Sequence, residues 1–81
     1  MRCKVVYYTI YHDFETKFFN ADNLQELWEK AQEYYYSNED LQRRVREYMQ
    51  KHHPDVKVIT VGLGIGDSFT NPKRIQKKLK F

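Results

Sequence analysis

The chain has 81 residues and a formal net charge of +3, and its excess positive charge is concentrated at the C-terminus. Residues 1–72 carry nine Lys or Arg against all eleven Asp and Glu, whereas residues 73–81 carry five cations and no acid. A protein that coats nucleic acid with its whole surface would be basic throughout. This pattern instead predicts a near-neutral folded domain, 1–72, and a basic C-terminal tail, 73–81, that docks or steers and is dispensable for folding.

Length and composition limit the fold and the compartment. A chain this short makes one domain that buries only about 60–65% of its unfolded surface, so large side chains must pack densely. Seven Tyr, five Phe and one Trp supply them. The single cysteine, Cys3, has no disulfide partner, which fits a reducing compartment. Since no apolar run approaches the ~20 residues that span a bilayer, we expect a cytoplasmic protein with no membrane partner.

Two strands are predicted at the start of the chain. Residues 3–12 are β-branched or aromatic on both faces, which is typical of a central strand that is paired on two sides or covered on both faces. Residues 14–21 follow a short connection, with Thr16, Phe18 and Phe19 as their apolar content, and predict the second strand of a hairpin.

Two helices are predicted next. Asp22 is the expected N-cap of the first helix, and Gln25 completes a capping box. The apolar residues of this helix recur at helical spacing: Leu24, Leu27, Trp28, Ala31, Tyr34 and Tyr35. Ser37 is the expected cap of a second helix over about 38–51, whose apolar stripe is Leu41, Val45, Tyr48, Met49 and His52. Pro54 ends it, because the residue before a proline avoids the α region.

A third strand is predicted over 56–65, with alternating glycines on one face that leave room for a large aromatic or a foreign group. Asn71 and Pro72 favour a short basic C-terminal helix or tail. The expected fold class is therefore α+β, ββααβ: a three-stranded, largely antiparallel sheet packed on two helices through Trp28, Leu24, Leu27, Val45 and Met49. An unpaired sheet edge would favour a homodimer.

No residues combine into a catalytic, cofactor or metal site. The glycines 62, 64 and 66 do not have the spacing of a phosphate-binding loop. His52 and His53 are adjacent on a helix and point about 100° apart, and His12 is isolated in the sequence, so we expect no metal ligation. Cys3 has no nucleophile motif around it. The sequence predicts a protein that is not an enzyme.

Residues that favour partner binding fall in three groups. The consecutive Tyr34, Tyr35 and Tyr36 cannot all reach the core, so they expose a side chain to a partner or staple the helix junction. The second helix carries an arginine patch that contacts phosphates or an acidic partner, or is simply a solvated face. Its members are Arg43, Arg44 and Arg46. The third group is in the tail: Lys73, Arg74, Lys77, Lys78, Leu79 and Phe81.

Two resemblances bear on function. Gln76, Leu79 and Phe81 resemble the short peptides that dock replication proteins into the bacterial sliding clamp; the alternative is an amphipathic cap on the sheet. Residues 1–65 resemble small bacteriophage early (host-takeover) proteins, such as the phage inhibitor of bacterial RNA polymerase. The matching segments are Phe14–Glu15, Phe18–Asp22, Leu24–Ala31 and Val56–Val61. The inserted second helix and the basic tail depart from that layout.

The phage resemblance implies a style of function. It predicts a small regulatory or inhibitory protein that binds a host protein complex, such as polymerase, replication or defence machinery, in the host cytoplasm. The alternative is a small nucleic-acid-binding protein that uses the basic tail, the arginine patch and exposed tyrosines as stacking platforms.

Overall fold

The computed structural model describes residues 1–66 and 69–81 as four strands and two helices. The α+β class, the hairpin and both helices are confirmed. The elements are β1 (Arg2–Tyr8), β2 (Asp13–Asn20), α1 (Leu24–Ser37), α2 (Glu39–His52), β3 (Val58–Ile65) and β4 (Gln76–Lys80), with a one-turn 3₁₀ helix (Pro72–Arg74) before β4.

The four strands form one antiparallel sheet in the order β2-β1-β3-β4. Strand β1 is central, as predicted, since it pairs with β2 on one side and β3 on the other. A two-residue turn joins β1 to β2, with Thr9 and His12 bonded to each other through both backbone groups. The β1–β2 register shifts next to this turn, between Tyr7 and Tyr8.

The prediction of three strands followed by a helix or free tail is wrong. Residues Gln76–Lys80 pair with β3, with Leu79 opposite Ile59, and so form an edge strand. The physical reason is the period of the side chains: Lys78 and Lys80 lie on one face and Leu79 on the other, which is the two-residue repeat of a strand. Asn71 and Pro72 do begin a helical turn, but it ends after Arg74.

The N-cap of each helix lies one residue later than predicted. Asn23 caps α1 by accepting a hydrogen bond from the Glu26 amide (2.8 Å), and the Glu26 carboxylate accepts from the Asp22 amide (2.7 Å). Asn38 caps α2 by accepting from the Leu41 amide (3.0 Å). Asn38 also ends α1, because its own amide donates to the Tyr35 carbonyl. A single residue therefore joins the two helices.

Both helices cover the same side of the sheet, which we call the helix face. Alternate residues of the strands are buried there: Cys3, Val5, Tyr7, Ile59, Val61, Leu63 and Leu79. The helices bury Leu27, Ala31, Tyr35, Leu41, Val45 and Met49 against them. The predicted core residues Leu24 and Trp28 are only partly buried and pack at its margin.

The opposite side, which we call the outer face, is crossed by the segment that leads from β3 to β4. We call its described part, residues 69–75, the strap. Pro72 of the strap is buried on Gly62 of β3, and a Cβ atom at Gly62 would lie 3.0 Å from the Pro72 carbonyl oxygen. The strap leaves Val6 and Tyr8 about 5% and 6% exposed. The room that the glycines of β3 provide is thus occupied here by the chain's own backbone.

Candidate functional site

The outer face concentrates positive charge. Strand register and side-chain alternation place on this face the even-numbered residues of β1, β3 and β4, and the side chain of Lys73 joins them from the strap. Among the residues that the structure describes, this face carries five cationic side chains and a single carboxylate, Asp13. The cations are Arg2, Lys4, Lys73, Lys78 and Lys80.

The helix layer has no such excess. Helices α1 and α2 together carry six acidic and five basic side chains. Several of the basic groups are paired within the layer: Lys30 lies 3.6 Å from Glu26, and Arg44 lies 3.0 Å from Asp40. The two sides of the molecule therefore differ in net charge, and the outer face is the side that attracts anions.

Two of the outer-face lysines are held by neighbours at one end of the sheet. The ammonium group of Lys78 donates to Thr60 Oγ1 at 2.7 Å. That of Lys73 lies 3.1 Å from Asp13 and 4.8 Å from the centre of the Tyr8 ring. Burial raises the pKa of the Tyr8 phenol and Lys73 partly offsets this shift, so the phenol is neutral at pH 7. Lys80 is exposed beside them.

An aromatic cluster lies at the other end of the outer face. Phe18 of β2 is 43% exposed, and the guanidinium carbon of Arg2 sits 4.7 Å from the centre of its ring. Phe69 of the strap lies 5.9 Å from Phe18 between ring centres, at an interplanar angle of 33°. Lys4 is the register partner of Phe18 in the neighbouring strand.

Strand β4 forms one edge of the sheet. The Ile75 carbonyl and the Phe81 amide point towards β3, where they bond Leu63 and Lys57. Because residues alternate in direction along a strand, the backbone groups of Gln76, Lys78 and Lys80 point away from the sheet. Lysines along such an edge also discourage it from pairing with other chains. The predicted homodimer stays a prediction.

The three predicted tyrosines do not form one surface. Tyr35 is 1% exposed, and burial raises the pKa of its phenol to about 12. Tyr34 is partly buried, and its hydroxyl donates to the Glu15 carboxylate, which raises the pKa of the phenol. Tyr36 is 56% exposed, and its hydroxyl lies 3.4 Å from the Lys80 carbonyl oxygen. Of the three, only Tyr36 exposes most of its side chain, whereas Tyr34 and Tyr35 pack against the sheet; the partner-binding role of these tyrosines stays a prediction.

The three arginines of the predicted patch do not form one surface either. Arg44 bonds the Glu15 carboxylate (2.5 Å) and the Phe14 carbonyl (3.1 Å), so it joins α2 to β2. The Glu15 hydrogen bond is the largest cause that raises the pKa of its guanidinium group, and Asp40 raises it further. Arg43 pairs with Asp40 on its own helix. Arg46 is exposed and contacts only the Gln42 side chain among its described hydrogen-bond partners.

The predicted partner-binding residues of the tail are likewise not all on one surface. Leu79 is 4% exposed in the core and Phe81 packs against that core, so neither side chain is presented to a partner pocket. The clamp-like interpretation would require β4 to leave the sheet. Arg74 and Lys77 are exposed, with Lys77 on the helix-facing side of β4.

Arg2, Lys4 and Phe18 belong to the outer face although they are not among the residues predicted for partner binding. The signal was present for the first two, because residues two apart in a strand share a face. For Phe18 the strand pattern predicts only apolar strand content, and it is the neighbouring Phe19 that packs against the core. The contact of Phe18 with Phe69 joins residues 51 positions apart and has no local signal.

The three histidines lie where the end of α2 meets the β1–β2 turn. His53 stacks on Tyr11 with ring centres 3.5 Å apart, and His12 stacks on Tyr48 at 4.5 Å. His52 also packs on Tyr48, at 4.6 Å. Within residues 1–66 and 69–81, no group of three or more His, Cys, Asp or Glu side chains is arranged to hold a metal ion. These rings pack the turn onto the end of α2.

Comparisons with protein-family models, curated proteins and solved structures find no match to this chain. The resemblance to phage early proteins therefore stays a prediction. In the described part of the chain, neither helix is long and apolar enough to cross a membrane.

Proposed function

We propose that this is a non-enzymatic binding protein whose outer face binds nucleic acid. The observation that supports this is the contrast between its two sides: five cations and one described carboxylate on the outer face, against a nearly balanced helix layer. A polyanion gains most from such a face, because each phosphate it places near a lysine or arginine releases a condensed counterion.

The arrangement of the cations suits a strand of phosphates. Arg2 lies at one end of β1, and Lys78 lies near the other end because its partner Thr60 pairs with Tyr8. Six residues along β1 span about 20 Å. Lys4 lies between these ends, and Lys73 of the strap lies over the Tyr8 ring towards the Lys78 end. The cations thus extend along the face. A small anion would instead require several cations gathered at a single point.

The test is binding of fluorescein-labelled oligonucleotides, measured by anisotropy between 50 and 200 mM salt. We expect the double variant Lys78→Gln, Lys80→Gln to weaken binding. The plot of the logarithm of affinity against the logarithm of salt concentration should also become less steep, by the slope that about two phosphate contacts contribute. The matched control is Arg46→Gln with Lys51→Gln, which removes the same charge from α2 and should leave most of the affinity intact. Equal losses in the two double variants would contradict a specific role of the outer face.

A second candidate is the phage-type regulatory or inhibitory protein that binds a host protein complex. The observation that favours it is the β1–β2 turn, where Ile10 is 88% exposed and Tyr11 is 47% exposed. An apolar turn tip offers contact area to a protein more readily than to phosphates. Affinity capture from nuclease-treated bacterial lysate, with Ile10→Ser as the matched control, tests it. A protein band that needs Ile10 supports this function, and capture that is lost with nuclease contradicts it.

A further inference from the structure

The aromatic cluster on the outer face has a composition that phosphate binding alone does not require. Phe18 is 43% exposed although its neighbour Phe19 packs against the core from the other face of β2. Phe18 therefore presents its ring on the outer face, beside Phe69 and Arg2, and not to the core under the helices. The Arg2 guanidinium over its ring and the nearby, tilted ring of Phe69 make the site an aromatic and partly cationic surface.

We infer that the cluster of Arg2, Phe18 and Phe69 stacks an unpaired base, so that the ligand is single-stranded nucleic acid. This inference rests on the proposed function of the outer face. Every base has a π-face that stacks on aromatic rings and on guanidinium planes, and this contact is tolerant of sequence. In a duplex the base faces are covered by their neighbours, and the cluster would have nothing to stack on.

The neighbouring charges fit the same ligand. Lys4 is the register partner of Phe18, and directly opposed side chains in an antiparallel pair have Cβ atoms about 5 Å apart. A nucleotide whose base lies on Phe18 therefore has a cation available for its phosphate. From there the remaining cations, Lys73, Lys78 and Lys80, continue towards the opposite end of the sheet.

The experiment compares three labelled DNA ligands at 100 mM salt: an oligothymidine of 12 nucleotides, an abasic strand of the same length, and a duplex of 12 base pairs. For the unmodified protein we expect the oligothymidine to bind about tenfold more tightly than the abasic strand. Phe18→Ala should lose about tenfold in affinity for the oligothymidine and little for the abasic strand, with an unchanged salt dependence. Phe18→Trp should keep the preference for bases.

Two further variants keep the outcome clear. Phe18→Leu retains apolar bulk without a π-face, so it should behave like Phe18→Ala even if the alanine variant is poorly folded. Val58→Ala removes apolar surface from the outer face away from the cluster and should leave the preference unchanged. If Phe18→Leu binds as the unmodified protein does while the Lys78 and Lys80 variant is weakened, the stacking inference is wrong and the proposed function stands. If none of the three ligands binds at 50 mM salt, the proposed function is itself wrong.

Discussion

The two faces of this sheet are built from the same strands but satisfy different demands. On the helix face, alternate residues of β1 and β3 are completely buried under two amphipathic helices. On the outer face, the same strands bury Val6, Tyr8 and Thr60 and the glycines of β3, and cations and aromatic rings surround these positions. The difference separates the residues that stabilise the fold from those that remain available to a ligand.

Strand β4 contributes to both faces, and deleting it should have the largest effect. Deletion of residues 73–81 removes Leu79 from the core and leaves β3 with an unpaired edge. We expect loss of the cooperative unfolding transition in circular dichroism, because so small a domain has little stability to spare. This outcome would reverse the expectation of a dispensable tail.

The control for this deletion changes only the outer face of the same strand. Lys78→Gln with Lys80→Gln keeps every apolar contact, so its melting temperature should stay close to that of the unmodified protein. A deletion that melts like the unmodified protein would show that β4 does not stabilise the sheet.

Strand β3 offers the next comparison within a single element. Leu63 is fully buried on the helix face, whereas Val58 is 36% exposed on the outer face. We expect Leu63→Ala to cost about 2–5 kcal/mol in the free energy of unfolding and Val58→Ala less than about 1 kcal/mol. Urea denaturation measures both. Similar losses would mean that the outer face is covered as completely as the helix face.

The helix face was largely predictable from the sequence. Leu27, Ala31 and Tyr35, and then Leu41, Val45 and Met49, repeat at helical spacing, which is a local property of the chain. The caps were placed one residue early because Asp, Ser and Asn are all good N-caps and stand next to one another here. Packing then selects among neighbours that local chemistry ranks equally.

The outer face was not predictable, because long-range contacts create it. Lys78, Leu79 and Lys80 alternate as in a strand, but five residues are too few to establish one, and the free edge of β3 decides that they pair there. The approach of Phe69 to Phe18 likewise depends on where the strap crosses the sheet. Candidate residues chosen by charge alone therefore included Arg43 and Arg44, which are engaged in ion pairs.

The contact between the strap and the sheet can be tested at Gly62. A Cβ atom there would lie 3.0 Å from the Pro72 oxygen and 3.3 Å from the Lys73 Cα, both of them backbone atoms. Gly62→Ala should displace the strap and cost about 1–3 kcal/mol in urea denaturation. Val58→Ala, on the same face of β3, is the control. A gain in stability, as Gly to Ala gives where nothing is crowded, would contradict the close contact.

The smallest effects concern two stacked tyrosines of the buried layer. The Tyr7 hydroxyl donates to the Ala31 carbonyl at 2.7 Å, whereas the buried Tyr35 hydroxyl has no hydrogen-bond partner among the described residues. Their ring centres are 6.1 Å apart. Tyr7→Phe should therefore cost about 1 kcal/mol in the free energy of unfolding, and Tyr35→Phe should be neutral or stabilising by up to about 1 kcal/mol. Losses of equal size would mean that Tyr35 is bonded after all.

Alkaline pH gives an independent reading of Tyr35. Burial raises the pKa of its phenol to about 12, whereas the phenol of the unfolded chain ionises near pH 10. The unfolded state therefore releases its proton first as the pH rises, and stability that is present below pH ~10 is lost between pH ~10 and ~12. By pH 11 the unmodified protein should have lost roughly 1 kcal/mol more than Tyr35→Phe, measured by urea denaturation at pH 9 and 11. An identical pH dependence in the two proteins would mean that the Tyr35 hydroxyl is hydrated in the folded state and that the helix layer is open to water at this point.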